Sequence, residues 1–316
     1  MVGNLEQILE SKKIEGGKVA VGFRPSGSLH LGNLVTISYA AILADKLDLE
    51  LDLCVCDTDW SAHIHGDHLA DENRSMKLFF NRECPCGDHS NVAEHRVDEI
   101  SEFLSVLRGE TVDFEVNYLS EYSSEEYDEA LRNVLNNMDD FDEIFGGGFR
   151  RRYRSPVAAV CDECGFSDAK GSAYSSETDE LVSACRNPEC MNGFMTTKVS
   201  NPEKGVYYLA DPVRDPARDV AVHVFGGDYR DAEKEQKTPK IEKVEKITEL
   251  ACGESPEYFL APIIVTEEGL PLSKSNGTGR SVEDIEDVEK YSKELIGNVR
   301  KLTEEEREFV SEDELI

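Results

Sequence analysis

Residues 18–57 read as strand, turn, helix and strand, and that order leaves few folds open. Lys18 to Phe23 is a short apolar strand, and Arg24-Pro25-Ser26-Gly27-Ser28 is a run of turn formers. His30 to about Leu47 then carries the apolar periodicity of a helix. Leu51 to Cys56 is a near-continuous apolar run ending in Asp57, the pattern of a buried parallel strand whose carboxyl end meets solvent. Parallel neighbours need a crossover, so this βαβ unit commits the chain to an α/β fold. A doubly wound parallel sheet is the natural continuation.

Composition narrows the function class. The apolar residues make up 39% of the 316 and fall in blocks, which excludes wholesale disorder. No stretch approaches the roughly eighteen apolar residues of a membrane span. The opening Met1 to Lys13 lacks the basic-then-apolar order of a signal peptide, so the expectation is a cytoplasmic protein with no membrane partner. Lys and Arg number 34 against 65 Asp and Glu, a net charge of −31. That field opposes general nucleic-acid binding, unless the acidity is a halophilic adaptation to a salt-rich cytoplasm. Nine cysteines, an odd number without an export signal, point to metal ligation before disulfides.

Further along, the pattern predicts a helix over Asp67 to Asn81 and a Cys/His-rich stretch. A helix from about Ala93 to Leu107, a strand near Val112 to Tyr118 and an acidic helix from Ser124 to Met138, capped by Ser123 or Ser124, follow. Gly146-Gly147-Gly148 breaks the pattern, and Cys161 to Cys190 forms a separate small module. Strands return at Val206 to Leu209, Val220 to Phe225 and Ile263 to Thr266, with a helix from Asp231 to Leu250. From Val282 the chain is charged and helix-prone. The expected division is 1–82 for the first half of a nucleotide-binding core, 83–150 for an insert with the Cys/His cluster, and 151–200 for a zinc-ribbon-like module. Residues 201–280 complete the core, and 281–316 form an acidic helical tail.

Two segments carry the chemistry. Pro25-Ser26-Gly27-Ser28-Leu29-His30-Leu31-Gly32-Asn33 joins a strand to a helix N-terminus, where small residues admit a ligand to the backbone and unpaired N–H groups favour phosphate. An ordinary βα turn in which His30 only caps the helix fits the same residues. Gly269-Leu270-Pro271-Leu272-Ser273-Lys274-Ser275-Asn276-Gly277 is a Gly/Ser loop with one lysine, suited to closing over a polyphosphate or else a plain solvated turn.

Taken together, His30-Leu31-Gly32-Asn33 and Leu272-Ser273-Lys274-Ser275 resemble the HIGH and KMSKS signatures of class I aminoacyl-tRNA synthetases. Asn33, the preceding Pro25-Ser26-Gly27, Asp57-Thr58-Asp59-Trp60, Ala93-Glu94-His95, the Cys161 to Cys190 module and Phe225-Gly226-Gly227-Asp228 are most similar to the class I lysyl-tRNA synthetases. The resemblance spans roughly Val19 to Gly277. It implies a Rossmann-type (HUP-like) core with inserted zinc-binding modules that uses ATP and Mg²⁺ to make an aminoacyl adenylate and passes the acyl group to tRNA. By position it implies that His30, Asn33 and Lys274 are catalytic. Pro25, Ser26, Gly27, Gly32, Gly226, Gly227, Asp228, Ser273 and Ser275 would join them around ATP. Asp57, Asp59 and Trp60 would meet the amino acid, lysine or a lysine-like substrate. Pro271 stands where the first lysine of KMSKS belongs, and Tyr229 where histidine is usual. The chain also stops near where the family's helical anticodon-binding region begins, so a catalytic core alone is expected.

Cys161-x2-Cys164 and Cys185-x4-Cys190 offer four thiolates at zinc-ribbon spacing. Cys84, Cys86, His89 and His95 form a second candidate Zn²⁺ set, with a reactive dithiol as the alternative. Cys54 and Cys56 read as small buried hydrophobes, and His63, His65 and His68 as a weak metal signal. Arg150-Arg151-Arg152-Tyr153-Arg154 is a basic run beside the four-cysteine module, fit either for a tRNA acceptor end or for offsetting nearby carboxylates. Two functions follow: an amino-acid-activating ligase, or a non-catalytic paralogue acting as a binding subunit.

Overall fold

The computed structural model describes residues 14, 16–25, 29–58, 60–61, 63–64, 67–68, 76–79, 83–84, 86–122, 124–187, 190–201, 204–206, 209, 211–230, 240–266, 268–270, 272, 282, 285–305, 307 and 309–315. For 60–61, 63–64, 67–68, 76–79, 211–212, 228 and 230 it describes the backbone only. Five strands make the central sheet: β1 (Lys18–Phe23), β2 (Glu50–Val55), β3 (Val116–Tyr118), β4 (Val220–Phe225) and β5 (Glu257–Leu260). They lie in the order β5-β4-β1-β2-β3, and every neighbouring pair is parallel. The chain thus winds outward from β1 in both directions, the doubly wound arrangement the first βαβ unit predicts.

Register sorts the residues onto two faces. Val19 lies opposite Leu51 and Val222, and Val21 opposite Leu53 and Val224. This face packs under α1 (Leu31–Leu47), whose Leu34, Val35, Ile37 and Ile42 join the same buried cluster. Among the helices that follow, α2 (Val92–Asp98), α3 (Ser101–Glu110), α4 (Glu125–Asn136), α5 (Lys240–Cys252) and α6 (Val288–Leu302), α6 packs beside both α1 and α3 on this side. The other face of the strands carries Ala20, Gly22, Asp52, Cys54, Asn117, His223 and Tyr258. A second core gathers α4, α5, the helix Phe149–Arg152 and the four-cysteine module around Leu131, Val134, Phe141, Val157, Cys161, Leu181 and Ile247.

Several sequence expectations change. His30 is the N-cap of α1, not its first turn. The helix expected over Asp67 to Asn81 is replaced by strands at Asp67–His68 and Met76–Phe79, the latter pairing with Trp60–Ser61 and with Ser167–Asp168. Mixed polar and apolar residues there serve a strand period of two, which in so short a run resembles a helical face. The helix expected from Ala93 to Leu107 divides into α2 and α3 around Glu99 and Ile100. Ser124 caps α4 by accepting from the Tyr127 amide at 3.1 Å. Among the described residues the charged stretch after Val282 forms α6, then β7 (Phe309–Ser311), parallel to β6 (Ile263–Val265), and a 3-10 turn at Glu312–Glu314. Cys54 is no simple hydrophobe, since Arg218 Nη2 donates to its sulfur at 2.6 Å. Among the described residues no helix is long and apolar enough to cross a membrane.

Candidate functional site

In an open parallel sheet the ligand crevice lies beyond the carboxyl ends of the strands where the winding reverses, here β1 and β4. Those ends lead directly into His30 and into Gly226-Gly227. The α1 N-terminus is closed by a reciprocal cap. The Gly32 amide donates to His30 Nδ1 at 3.1 Å, and the His30 amide donates to Asn33 Oδ1 at 3.2 Å. Because Nδ1 accepts, a neutral His30 ring carries its proton on Nε2. The two readings of His30 are therefore not exclusive: the cap sets the tautomer that makes the ring a donor. Gly32 is needed for this, since a Cβ there would stand 3.0 Å from His30 Cε1. At Gly227 a Cβ would meet the Ala261 carbonyl and the Ile263 amide, both at 2.8 Å, so only glycine lets this turn sit against the β5–β6 connection.

The lysine loop is tied to this site at both ends. The Leu272 amide donates to the Ile264 carbonyl at 2.8 Å, and the Val282 amide donates to the Leu29 carbonyl at 3.1 Å. Leu29 immediately precedes the His30 cap. The segment between these two bonds holds Ser273, Lys274 and Ser275, which lie outside the described residues, as do Pro271, Ser26, Gly27 and Asp59. The side chains of Trp60 and Asp228 are likewise not described, nor are those of His63 and His68, whose backbones pair, nor any part of His65.

Asp57 ends β2 at the same edge but is 1% exposed, not a solvated junction. The Ser120 amide donates to its Oδ1 at 2.8 Å, and the Ser120 hydroxyl to Oδ2. Burial pushes its carboxyl pKa up, with the Ser120 donors and the Arg214 charge opposing. Beside it, Arg214 is buried, donates to Thr58 Oγ1 at 3.3 Å and stacks 4.3 Å from the Tyr127 ring centroid. Lys204 is also buried and pairs with Asp128 at 3.2 Å, its pKa lowered by burial.

Sequence reasoning missed the ionic network on the polar face of the sheet. Arg218 donates to Asp52 Oδ2 from Nε at 2.9 Å and from Nη2 at 2.6 Å, while its Nη1 lies 3.5 Å from Asp215 Oδ1. Asp215 Oδ2 pairs with His223 Nδ1 at 2.7 Å, and Asn117 donates to Asp52 Oδ1 at 2.8 Å. The available signal was a charge inside an apolar strand: Asp52 in β2 and His223 in β4 both break otherwise apolar runs.

Both sets of candidate metal ligands come together, each with all four donor atoms within 4.8 Å of one another. In the four-cysteine set, Cys161 and Cys190, and Cys164 and Cys185, have sulfurs 3.7 Å apart. Zinc–sulfur bonds of about 2.3 Å imply tetrahedral edges of about 3.8 Å, which these two edges match. Burial opposes ionisation of Cys161, but the Cys164 and Glu163 amides outweigh it and bring the thiol to about 7. In the other set, His89 Nδ1 and His95 Nδ1 lie 3.3 and 3.4 Å from Cys86 Sγ, with Cys84 Sγ 2.9 Å away. The contact with Cys84, then those with His89 and His95, lower the Cys86 thiol to about 5, so a thiolate is present at neutral pH.

The basic run is divided. Arg150 pairs with Asp139, and Arg154 donates to Asp168 and, at 2.9 Å, to the Gly171 carbonyl, bracing the four-cysteine module. All four arginines of the run are exposed.

Known proteins of similar sequence point the same way. The chain is 25% identical to "Lysine--tRNA ligase" of Methanocaldococcus jannaschii over 88% of its own length and 53% of that protein. It is also 25% identical to "Lysine--tRNA ligase 1" of Methanosarcina acetivorans, over 85% of this chain and 51% of that one. The chain thus spans about half the length of these curated relatives. The solved tyrosyl-tRNA synthetase of Archaeoglobus fulgidus, complexed with L-tyrosine, overlays with a TM-score of 0.44 at 19% identity, covering 89% of this chain and 65% of that one. A family profile described as "tRNA synthetases class I (K)" matches residues 81–300, well over half of the sequence, and the chain belongs to that family.

Proposed function

We propose that this chain is the catalytic core of an ATP-dependent aminoacyl-tRNA ligase, with lysine as the favoured amino acid. The observation that carries this reading is the bond from the Val282 amide to the Leu29 carbonyl. It ties the lysine-bearing segment to the phosphate-facing cap of α1 at the reversal point of the sheet. Lysine is favoured by the names of the relatives and by Asp57, whose buried carboxylate an ammonium group would compensate.

In the reaction the amino-acid carboxylate attacks the α-phosphorus of ATP, forming a carboxyl–phosphate bond as pyrophosphate leaves. The Nε2–H of His30 donates to phosphate oxygens beside the positive end of the α1 dipole, Asn33 holds the cap in place, and Lys274 neutralises charge on the departing pyrophosphate. By the family resemblance Pro25, Ser26, Gly27 and Gly32 would contact ATP near its phosphates, Gly226, Gly227 and Asp228 would meet its adenosine, and Ser273 and Ser275 would assist Lys274. Asp59 and Trp60, following Asp57, complete the amino-acid side. Mg²⁺ brought in with ATP would offset negative charge on its phosphates. Cys161, Cys164, Cys185 and Cys190, and Cys84, Cys86, His89 and His95, would each hold a Zn²⁺ ion, which would supply folding free energy to segments with few apolar residues. Arg150, Arg151, Arg152 and Arg154, all exposed, would meet the tRNA acceptor end that receives the acyl group.

The test is amino-acid-dependent ATP–pyrophosphate exchange with each of the twenty amino acids, at low and high KCl, with and without tRNA. Exchange with lysine that disappears in Lys274→Ala is the expected result. Exchange with a different amino acid would overturn the lysine assignment alone. No exchange under any condition would overturn the catalytic reading and leave a binding paralogue, the outcome that Pro271 at the first lysine position of the loop would favour.

A further inference from the structure

The two histidines of the mixed cluster are arranged alike. Each turns Nδ1 toward the cysteine sulfurs: His89 Nδ1 lies 3.3 Å from Cys86 Sγ, and His95 Nδ1 lies 3.4 Å from Cys86 Sγ and 3.5 Å from Cys84 Sγ. Each turns Nε2 toward a carboxylate of α2 or its C-terminal cap. His89 Nε2 is 3.5 Å from Asp98 Oδ2, and His95 Nε2 is 3.2 Å from Glu99 Oε1. Glu99 is in turn paired with the buried guanidinium of Arg96.

This pattern is more specific than four ligand-type residues in proximity. A histidine binds metal through one ring nitrogen, and a carboxylate on the other nitrogen fixes the tautomer and the ring plane and raises ligand basicity. Zinc bonds of about 2.3 Å to sulfur and 2.05 Å to nitrogen give sulfur–nitrogen edges of about 3.5 Å in a tetrahedron, which the three observed distances match. The Cys84–Cys86 edge is shorter at 2.9 Å, so metal entry must open it, yet it is well beyond the roughly 2.05 Å of a disulfide. The knuckle is held from outside as well. Asn91 caps α2 by accepting from the Glu94 amide at 2.8 Å, and Glu94 accepts from the Ser90 amide at 3.1 Å, so the turn between the two histidines is closed on itself.

Resting on the reading that this cluster holds zinc, we infer that Asp98 and Glu99 are positioning residues for it, each orienting one imidazole so that both histidines ligate through Nδ1. The four-cysteine set contains no imidazole to orient, and it serves as an internal reference in the same molecule.

The experiment titrates zinc into the full chain against a chromophoric chelator, and repeats the titration with Co²⁺ to distinguish mixed sulfur–nitrogen from all-sulfur ligation by its visible bands. Nitrogen-15 shifts of the histidine rings report which nitrogen is metallated. Wild type is expected to bind two zinc ions, with His89 and His95 metallated at Nδ1. Asp98→Ala is expected to weaken the mixed site alone by about 10- to 100-fold. Asp98→Asn, which still offers an oxygen to Nε2–H, is expected to restore most of the affinity. Asp98 is exposed, so its replacement leaves the fold intact. For Glu99, which also serves Arg96, Glu99→Gln is the variant of choice, with a smaller loss than Asp98→Ala. Two zinc ions with unchanged affinity in every variant, or metallation at Nε2, would overturn the positioning role while leaving the site. A single zinc ion, with Cys84 and Cys86 alkylated freely in the loaded protein, would overturn the site itself.

Discussion

The two faces of the central sheet are built from different physics. On one, Val19, Val21 and Phe23 of β1, Leu51, Leu53 and Val55 of β2, and Val222 and Val224 of β4 bury apolar surface beneath α1. On the other, the central strand offers only Ala20 and Gly22, and the guanidinium of Arg218 links Asp52 of β2 to Asp215, the partner of His223 on β4. The apolar face supplies free energy without a fixed pairwise geometry, since the hydrophobic effect is non-directional. The ionic face supplies direction: a buried guanidinium with two carboxylates has few acceptable positions, and Arg218 sits in the turn that leads into β4. In a chain of net charge −31, the scarce cations Arg218, Arg214 and Lys204 are placed inside, where they orient the second core over the ligand edge.

The largest expected effect is on the ionic face. Arg218→Ala leaves the buried Asp52 carboxylate without its cation and Asp215 with His223 alone, and should cost about 3–5 kcal/mol by urea denaturation, whereas replacing Asp52 and Arg218 together by leucine and methionine should cost clearly less. If the double variant were the worse of the two, the network would be a net source of stability and the contrast between the faces would fail. On the apolar face, Leu53→Ala should cost about 3 kcal/mol through lost burial and a residual cavity, with no change in pH dependence. Ala20→Val, which adds bulk to the ionic face opposite Asp52, should cost about 1–3 kcal/mol. On the exposed face of α6, solvent screens the Lys293–Glu289 pair at 2.6 Å, and Lys293→Ala should leave the urea midpoint essentially unchanged.

Protonation sharpens the same contrast. Burial works against ionisation of Asp52, but the Arg218 charge and the donors around it prevail and hold its folded pKa below the unfolded value of about 3.9. Its stabilisation is therefore present above that pH and lost as the pH falls through the folded pKa. Asp57 has the opposite sign: its folded pKa is raised, so its contribution is full below about pH 3.9 and is lost as the pH rises through the folded value. Stability measured across about pH 2–7 should show Asp52→Asn flattening the acid limb and Asp57→Asn flattening the region just above about pH 4.

Residues 18–57 were legible because a βαβ unit is specified locally: strand periodicity, turn formers and a capped helix follow one another in sequence. The cysteine spacing was legible for a similar reason, since thiolate ligands close together in the chain need little tertiary help. Met76–Phe79 was not, because a short strand with a partner far away in sequence has no local signature beyond its period. Arg218 was invisible because its carboxylate Asp52 lies in another strand and its meaning exists only when β2 and the turn into β4 are neighbours.

The amino-acid sequence by itself determined the doubly wound class, the helix that follows β1 and both sets of candidate metal ligands, because each rests on interactions among residues near one another along the chain. Only the tertiary structure decided which nitrogen of each histidine faces the sulfurs, that Asp57 is buried, and that the lysine loop is tied to Leu29. Those outcomes depend on contacts between segments whose spatial proximity the chain acquires only when β1, β2 and β4 lie side by side.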